Sequence, residues 1–236
     1  MVTTSGTPSV RLISVRSHGV QRTLAVLAPP ARLAYVRLAA VVAPAVEQAL
    51  GGRVMANRVS GSSVEPPVLA LRPWRFERRL FARALGELAS THRTVAIADV
   101  RACYASIGPT LARAALERIG APEGPAVEAF LTSLACEGVR GLPVGPDPSA
   151  LLANAVLAHV DRALEAEEIA HLRWVDDFVL GGRDPRAAAH GLDVVRDALR
   201  QLGLRANGSK TRVVADPSTL AEVAPSRLRG RALRVG

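Results

Sequence analysis

Apolar residues recur at spacings of three and four between residues 31 and 50, where Tyr35, Leu38, Val42 and Val46 mark one stripe. That period predicts an amphipathic helix, which Gly51-Gly52 closes. Residues 1–22 read as a polar, poorly patterned lead-in. Val54 to Val59 is a short strand candidate, followed by a Ser/Gly/Pro loop through Pro67. A second helix is predicted from Trp74 to Ser90, burying Trp74, Leu80, Phe81, Leu85 and Leu88 and turning arginines outward. Thr94 to Asp99 (TVAIAD) is a β-rich run that ends on a carboxylate. Helices follow at about 109–118 and 124–137, separated by the Gly120–Gly124 break. The glycine/proline loop from Gly141 to Pro148 opens a long helix from Ser149 to about Glu167. Short strands at His171–Trp174 and Phe178–Leu180 flank Val175-Asp176-Asp177. A helix over Arg186–Leu202 and short strands at Leu204–Asn207 and Thr211–Val214 complete the pattern. This order predicts an α+β sandwich, an antiparallel sheet with helices on one face.

Composition narrows the partners. The 236 residues suffice for one large domain or a small one with a subdomain. A hydrophobic share of 49% with only 3% aromatics means that Leu, Val and Ala build the core. The formal charge of +9 points to a polyanion, because cations near phosphates release condensed counterions. Arginine-rich coding habit raises charge in the same way. Among the 30 basic residues only Lys210 is lysine. Two cysteines make no disulfide framework or zinc spacing, which fits a reduced, cytoplasmic setting. The five histidines, His18 included, show no ligand spacing. Thr23–Leu50 is interrupted by Pro29, Pro30, Arg32, Arg37 and Pro44, so it lacks the ~20 uninterrupted apolar residues of a membrane span. A soluble protein is expected.

Candidate chemistry sits at the strand ends. An aspartate closing a buried strand is costly unless paired, and two adjacent aspartates at a hairpin tip repel. A divalent cation resolves both problems, since Mg²⁺ prefers carboxylate oxygens. Two ions roughly 3.5–4 Å apart clamp the attacking and leaving oxygens of a phosphoryl transfer. Paired aspartates are also ordinary turn residues.

Four segments resemble reverse transcriptase motifs, in the family's order. TVAIADVRACYASI is similar to motif A, with Asp99 ending the strand and Tyr104 five positions later. GLPVGPDPSALLANAVLAHVD is similar to motif B, HLRWVDDFVL to the Asp-Asp hairpin of motif C, and LGLRANGSKT to motif D. They cover about 95–214. Val144 stands where motif B commonly has glutamine, and Trp174 where motif C usually has tyrosine. The run PVGPDPS is closest to defence-associated and abortive-infection members.

The resemblance implies a right-hand polymerase palm with helical fingers and a thumb absent or vestigial. It divides the chain into 1–92, lead-in and fingers; 93–215, palm, with 109–140 a helical fingers-side insertion; and 216–236, a basic tail rich in arginine from Arg227 to Arg234. It assigns Asp99, Asp176 and Asp177 to Mg²⁺ (Mn²⁺ being possible), with Asp177 the weaker ligand, and Lys210 to proton donation toward pyrophosphate. Tyr104 takes the place of the sugar gate that favours deoxynucleotides, and Trp174 that of a primer contact. Gly141, Pro143, Gly145 and Ser149 lie on the loop near nucleotide and template; Ser149 serves equally as a helix N-cap. RVMANRV and LRPWRF resemble part of the fingers and offer Arg58, Arg72 and Arg75 to phosphates. The implied activity is RNA-directed DNA synthesis from a primer, with antiviral defence as the setting that the motif B likeness suggests. Nucleic acid and dNTPs are the substrates, and a protein partner or second copy supplies the thumb. A catalytically idle nucleic-acid-binding palm and an untemplated or protein-primed polymerase are the alternatives.

Overall fold

The computed structural model describes residues 9–17, 20–60 and 69–215; His18, residues 61–68 of the Ser/Gly/Pro loop and the basic tail lie outside the described residues. The central sheet has four antiparallel strands in the order β4-β5-β3-β6: β3 Thr94–Asp99, β4 His171–Trp174, β5 Asp177–Gly182 and β6 Arg212–Val214. Alternation along the strands gives each face its own set of side chains. Ala96, Ala98, Phe178 and Leu180 join the larger core, beneath helices α6 (Asp147–Ala166) and α7 (Pro185–Gln201). Small Ala96 and Ala98 let α7 lie close. Val95, Ile97, Leu172, Trp174 and Val179 face the other way, against Phe81, Leu85 and Leu88 of α2 (Trp74–Thr91). Every residue of β3 is therefore buried.

The α+β sandwich appears as the pattern predicts, with α2 added on the second face. Within α2, Phe81, Leu85 and Leu88 are buried as expected. Trp74 and Leu80 are not, at 63% and 41% exposure: Trp74 opens the helix and Leu80 points away from the sheet. α6 is buried on nearly its whole circumference, which makes it the central helix. Against it pack α1 (Pro29–Ala49), through its stripe of Tyr35, Ala39, Val42 and Val46, and α4 (Pro109–Arg118), while α5 (Gly124–Cys136) packs on α4 and α1. α7 begins at an N-cap where the Asp184 carboxylate accepts from Ala187 N at 2.8 Å.

Three predicted elements need correction. The lead-in contains a β-hairpin, β1 (Val10–Ser17) against β2 (Val20–Leu27), in which Val10 faces Leu27 and Ser17 faces Val20. It is fastened to the rest of the molecule where Ala25 N donates to Val144 O at 2.9 Å and Glu137 accepts from Ser9 N at 2.7 Å. Val54–Val59 forms no strand; Val54 and Val59 make isolated bridges to Arg173 and Leu71. The segment 204–207 contributes one bridge, Ala206 to Val100, before β6. Among the described residues no helix is long and apolar enough to cross a membrane.

Candidate active site

The strand registers bring the three aspartates to one end of the sheet. Asp99, last in β3, stands directly opposite Asp177, first in β5, and Asp177 in turn faces Trp174. Opposed residues of an antiparallel pair share a face, so the two carboxylates are neighbours and repel when both are ionised. Both are buried, Asp99 at 4% and Asp177 at 0% exposure. Asp176, half-buried, is the second residue of the tight turn between β4 and β5. The first is Val175, at φ 56°. A β-branched side chain disfavours that left-handed conformation, so the hairpin tip is strained. Two hydrogen bonds hold it: Val100 N donates to Asp176 O at 3.1 Å, and Arg173 Nη1 to Val175 O at 3.0 Å.

The carboxylate of Asp99 is gripped from the loop before β6. Asn207 Nδ2 donates to Oδ1 at 3.0 Å and Lys210 Nζ to Oδ2 at 2.9 Å, while Asn207 N donates to the Asp99 carbonyl at 2.7 Å. The one lysine of the chain thus stands at the first predicted aspartate. Sequence reading noted Asn207 only as part of motif D; its amide is half of the grip.

A cleft of about 1020 Å³ opens beside this grip. Asp99, Asp176, Tyr104, Asn207 and Lys210 line it, and Leu12, Gln21 and Thr23 of the β1–β2 hairpin form the opposite wall. Asp177 is not among the lining residues. Tyr104 lies on α3 (Cys103–Ser106), which β3 reaches through Ala102 in the left-handed region, at φ 47°. The Tyr104 carbonyl accepts from Leu142 N at 2.8 Å. Beside it Gly141 takes φ 66°, and a Cβ there would collide with the Tyr104 carbonyl oxygen. Gly141 therefore fits the loop closely against the backbone of α3.

The remaining predicted residues are placed differently. Ser149 is no N-cap: α6 is capped at Pro146, and Ser149 is fully buried, donating to Pro143 O at 2.6 Å and hydrogen-bonded to the Tyr35 hydroxyl at 3.0 Å. Burial pushes the Tyr35 hydroxyl pKa upward, against the smaller lowering by Ser149. Gly145 sits at φ 125° beside the β1–β2 hairpin. Trp174 is buried under Phe81, ring centroids 5.3 Å apart, with the Arg78 guanidinium 5.7 Å from its ring centre.

Arg58 does not line the cleft. Its Nε lies 3.0 Å from both Glu47 oxygens, and Nη1 donates to Gly51 O and Val54 O at 2.8 Å. It ties down the turn that follows α1, and its Nη2 reaches the carbonyl of the C-cap residue Leu50 at 3.4 Å. Arg72 reaches the same Glu47 at 3.3 Å, and Arg75 lies over the Trp74 ring at 5.5 Å. Sequence reading also missed a buried cluster behind the hairpin. Arg173, fully buried, donates to Asp161 on α6 at 2.6 to 3.0 Å and to Asn154 Oδ1 at 2.7 Å. A strand written HLRW, with arginine where an inward residue is due, is the signal that marks it.

The donor set is hard oxygen, of the kind Mg²⁺ takes. Asp99 and Asp176 share one cleft, which is the condition for holding ions between them. Among the described residues no three His, Cys, Asp or Glu side chains yet converge into a ready cage, and Lys210 occupies Asp99 Oδ2. A cation at Asp99 Oδ2 would have to take the place of the lysine.

Residues 41–223 match the family model described as reverse transcriptase (RNA-dependent DNA polymerase). No curated protein sequence matches the chain. Among solved structures the chain is similar to a telomerase from Candida albicans in complex with a TWJ fragment of telomeric RNA. The TM-score is 0.60 at 11% identity, over 88% of this chain and 43% of that one. An apo telomerase from Candida tropicalis, truncated from its C-terminal domain, gives a TM-score of 0.46 at 13% identity, over 89% of this chain and 51% of that one. The chain thus spans about half the length, or less, of these telomerases, and at such identity the Candida albicans likeness is one of fold.

Proposed function

Because the chain belongs to the reverse transcriptase family and carries a polymerase palm, we propose that it is an RNA-directed DNA polymerase that adds deoxynucleotides to a primer 3′-hydroxyl. The observation that carries this reading is the meeting of Asp99, Asp176, Tyr104 and Lys210 in one cleft, from segments as far apart as β3 and the loop before β6. In this proposal Asp99 and Asp176 hold the divalent cations, and Asp177, sealed beneath them, orients the pair. Bound there, such cations would neutralise phosphoryl charge and favour ionisation of the attacking hydroxyl. Tyr104, on the floor beside Asp99, sits under the sugar and excludes a 2′-hydroxyl. Lys210, once free of Asp99, would turn its ammonium to the departing pyrophosphate. Gly141 and the loop to Gly145 keep the Tyr104 turn in place.

Within this reading, 93–215 is the palm, 1–92 contributes the fingers side, and 109–140 is the helical insertion. The loop resemblance to defence-associated members supports a role in antiviral defence. A second reading, a nucleic-acid-binding palm without catalysis, draws on the Asp99–Lys210 pair, which stands where a cation would bind. Incorporation of labelled dNTPs and NTPs with Mg²⁺ or Mn²⁺ separates the two, using an RNA template with a DNA primer, a no-template lane and the Asp176→Ala variant. Metal-dependent dNTP incorporation lost in the variant supports the polymerase. Nucleic-acid binding with no incorporation under any condition sinks it and leaves the second reading.

A further inference from the structure

The hairpin tip that carries Asp176 is strained at Val175, and what opposes the strain is a buried side chain reaching up from β4. Arg173 Nη1 donates at once to Val175 O at 3.0 Å and to Asn154 Oδ1 at 2.7 Å. Asn154 Nδ2 passes the connection on to Ala56 O at 2.9 Å and, more weakly, to Asn57 O at 3.4 Å. Asn57 lines the cleft, as Asp176 does. The backbone repeats the link, because Arg173 N donates to Arg53 O at 2.9 Å and Met55 N to Arg173 O at 3.1 Å. Arg173 itself is fixed by two Asp161 oxygens.

We propose that Arg173, through Asn154, is a positioning residue that sets where Asp176 stands in the cleft relative to Asn57 and Asp99. The inference rests on the reading of Asp176 as a cation ligand. A planar guanidinium can serve Asp161, Asn154 and Val175 together, whereas a lysine ammonium is a compact point charge that cannot span all three. Partners that orient metal-binding side chains change metal affinity by about 10- to 100-fold when altered.

The test is Mn²⁺ titration followed by electron paramagnetic resonance on the whole chain, with thermal unfolding and dNTP incorporation measured in parallel. Arg173→Lys keeps a charge beside Asp161, so that carboxylate is not left buried alone. It is expected to weaken Mn²⁺ binding at least about tenfold and to raise by a similar factor the Mn²⁺ concentration for half-maximal incorporation. Adding Val175→Gly, which takes positive φ without strain, restores part of that loss. Should Arg173→Lys fail to fold, Asn154→Leu leaves the Arg173–Asp161 pair intact and carries the same expectation with a smaller shift. A lowered unfolding midpoint with unchanged Mn²⁺ affinity in the folded protein overturns the proposal, because Arg173 is then structural only. Asp176→Ala separates this failure from a failure of the site. If it leaves both Mn²⁺ binding and incorporation untouched, the reading of Asp176 fails; if it abolishes both while the Arg173 and Asn154 variants change neither, this inference alone fails.

Discussion

Lys210 Nζ lies 2.9 Å from Asp99 Oδ2, joining residues 111 positions apart in the chain. The carboxylate is nearly buried and the lysine half-exposed, at 6% and 51% of their side chains. The pair therefore sits at the cleft edge, where in the proposed mechanism a cation from solvent would compete with the ammonium for one oxygen.

Lys210→Met removes that competitor. Mn²⁺ binding is expected to tighten while dNTP incorporation falls, because the ammonium that neutralises pyrophosphate is gone. Lys210→Arg keeps the charge and gives up a titratable donor, so a rate between those of Met and wild type is expected. Steady-state incorporation beside a Mn²⁺ titration checks both, and wild-type rates in Lys210→Met end any role for the side chain.

Arg58 is expected to matter for stability alone. Arg58→Ala leaves Glu47, whose side chain is 24% exposed, to Arg72 and the Val59 amide alone and frees the turn after α1, at a cost of about 1.5–3 kcal/mol, the range for a hydrogen bond to a charged group. Urea unfolding measures the loss, and KM for dNTP in the folded fraction should not move. A raised KM at unchanged stability would return Arg58 to the phosphates.

Tyr104 is expected to control the sugar. Tyr104→Ala should lower discrimination between dNTP and NTP by at least about tenfold, the usual worth of one steric contact, while Tyr104→Phe keeps it. Ratios of kcat/KM for the two nucleotide classes decide the matter. Equal discrimination in wild type and Tyr104→Ala removes the gate.

The Asp161–Arg173 pair predicts an acid limb. Burial alone would raise the Asp161 carboxyl, but the charge of Arg173 with hydrogen bonds from its neighbours holds it below its ordinary value of 3.8. A carboxyl depressed by folding stabilises the protein fully above its unfolded pKa, and that contribution disappears as pH falls through the folded one. Unfolding free energy should therefore drop below about pH 4. Asp161→Asn should flatten this limb and cost about 3–5 kcal/mol at pH 7 by leaving Arg173 unpaired in the core. Denaturant melts from pH 2 to 7 provide the comparison, and an unchanged slope in Asp161→Asn assigns the limb to other groups.

The sheet was legible where sequence and burial agree in period. TVAIAD is apolar on both faces because helices lie on both, and it ends where the predicted strand does. The Asp-Asp hairpin and the helix after the Gly141 loop were legible because their turns carry glycine, proline or aspartate. The β1–β2 hairpin was not, since its apolar residues fall on both faces and Leu12 and Val26 stay exposed at 41% and 43%. Side-chain partners were least legible. Nothing near Arg58 in sequence announces that it ties down the turn after a helix, and Ser149 reads as a cap until Pro146 takes that place. Asn207 and Lys210 reach Asp99 only once β6 is laid beside β3.

The opposition of Asp99 and Asp177 gives the molecule a means of checking its own assembly. A slip of β3 by one residue against β5 would turn every side chain of that strand to the other face. Ile97 would then be driven into the space between sheet and helices that Ala96 and Ala98 fill, and Asp99 would turn to that same face rather than to the cleft. Overcrowding alone thus disfavours the slipped register, so the alignment of Asp99 with Asp177 rests on alanines and an isoleucine that lie outside the cleft.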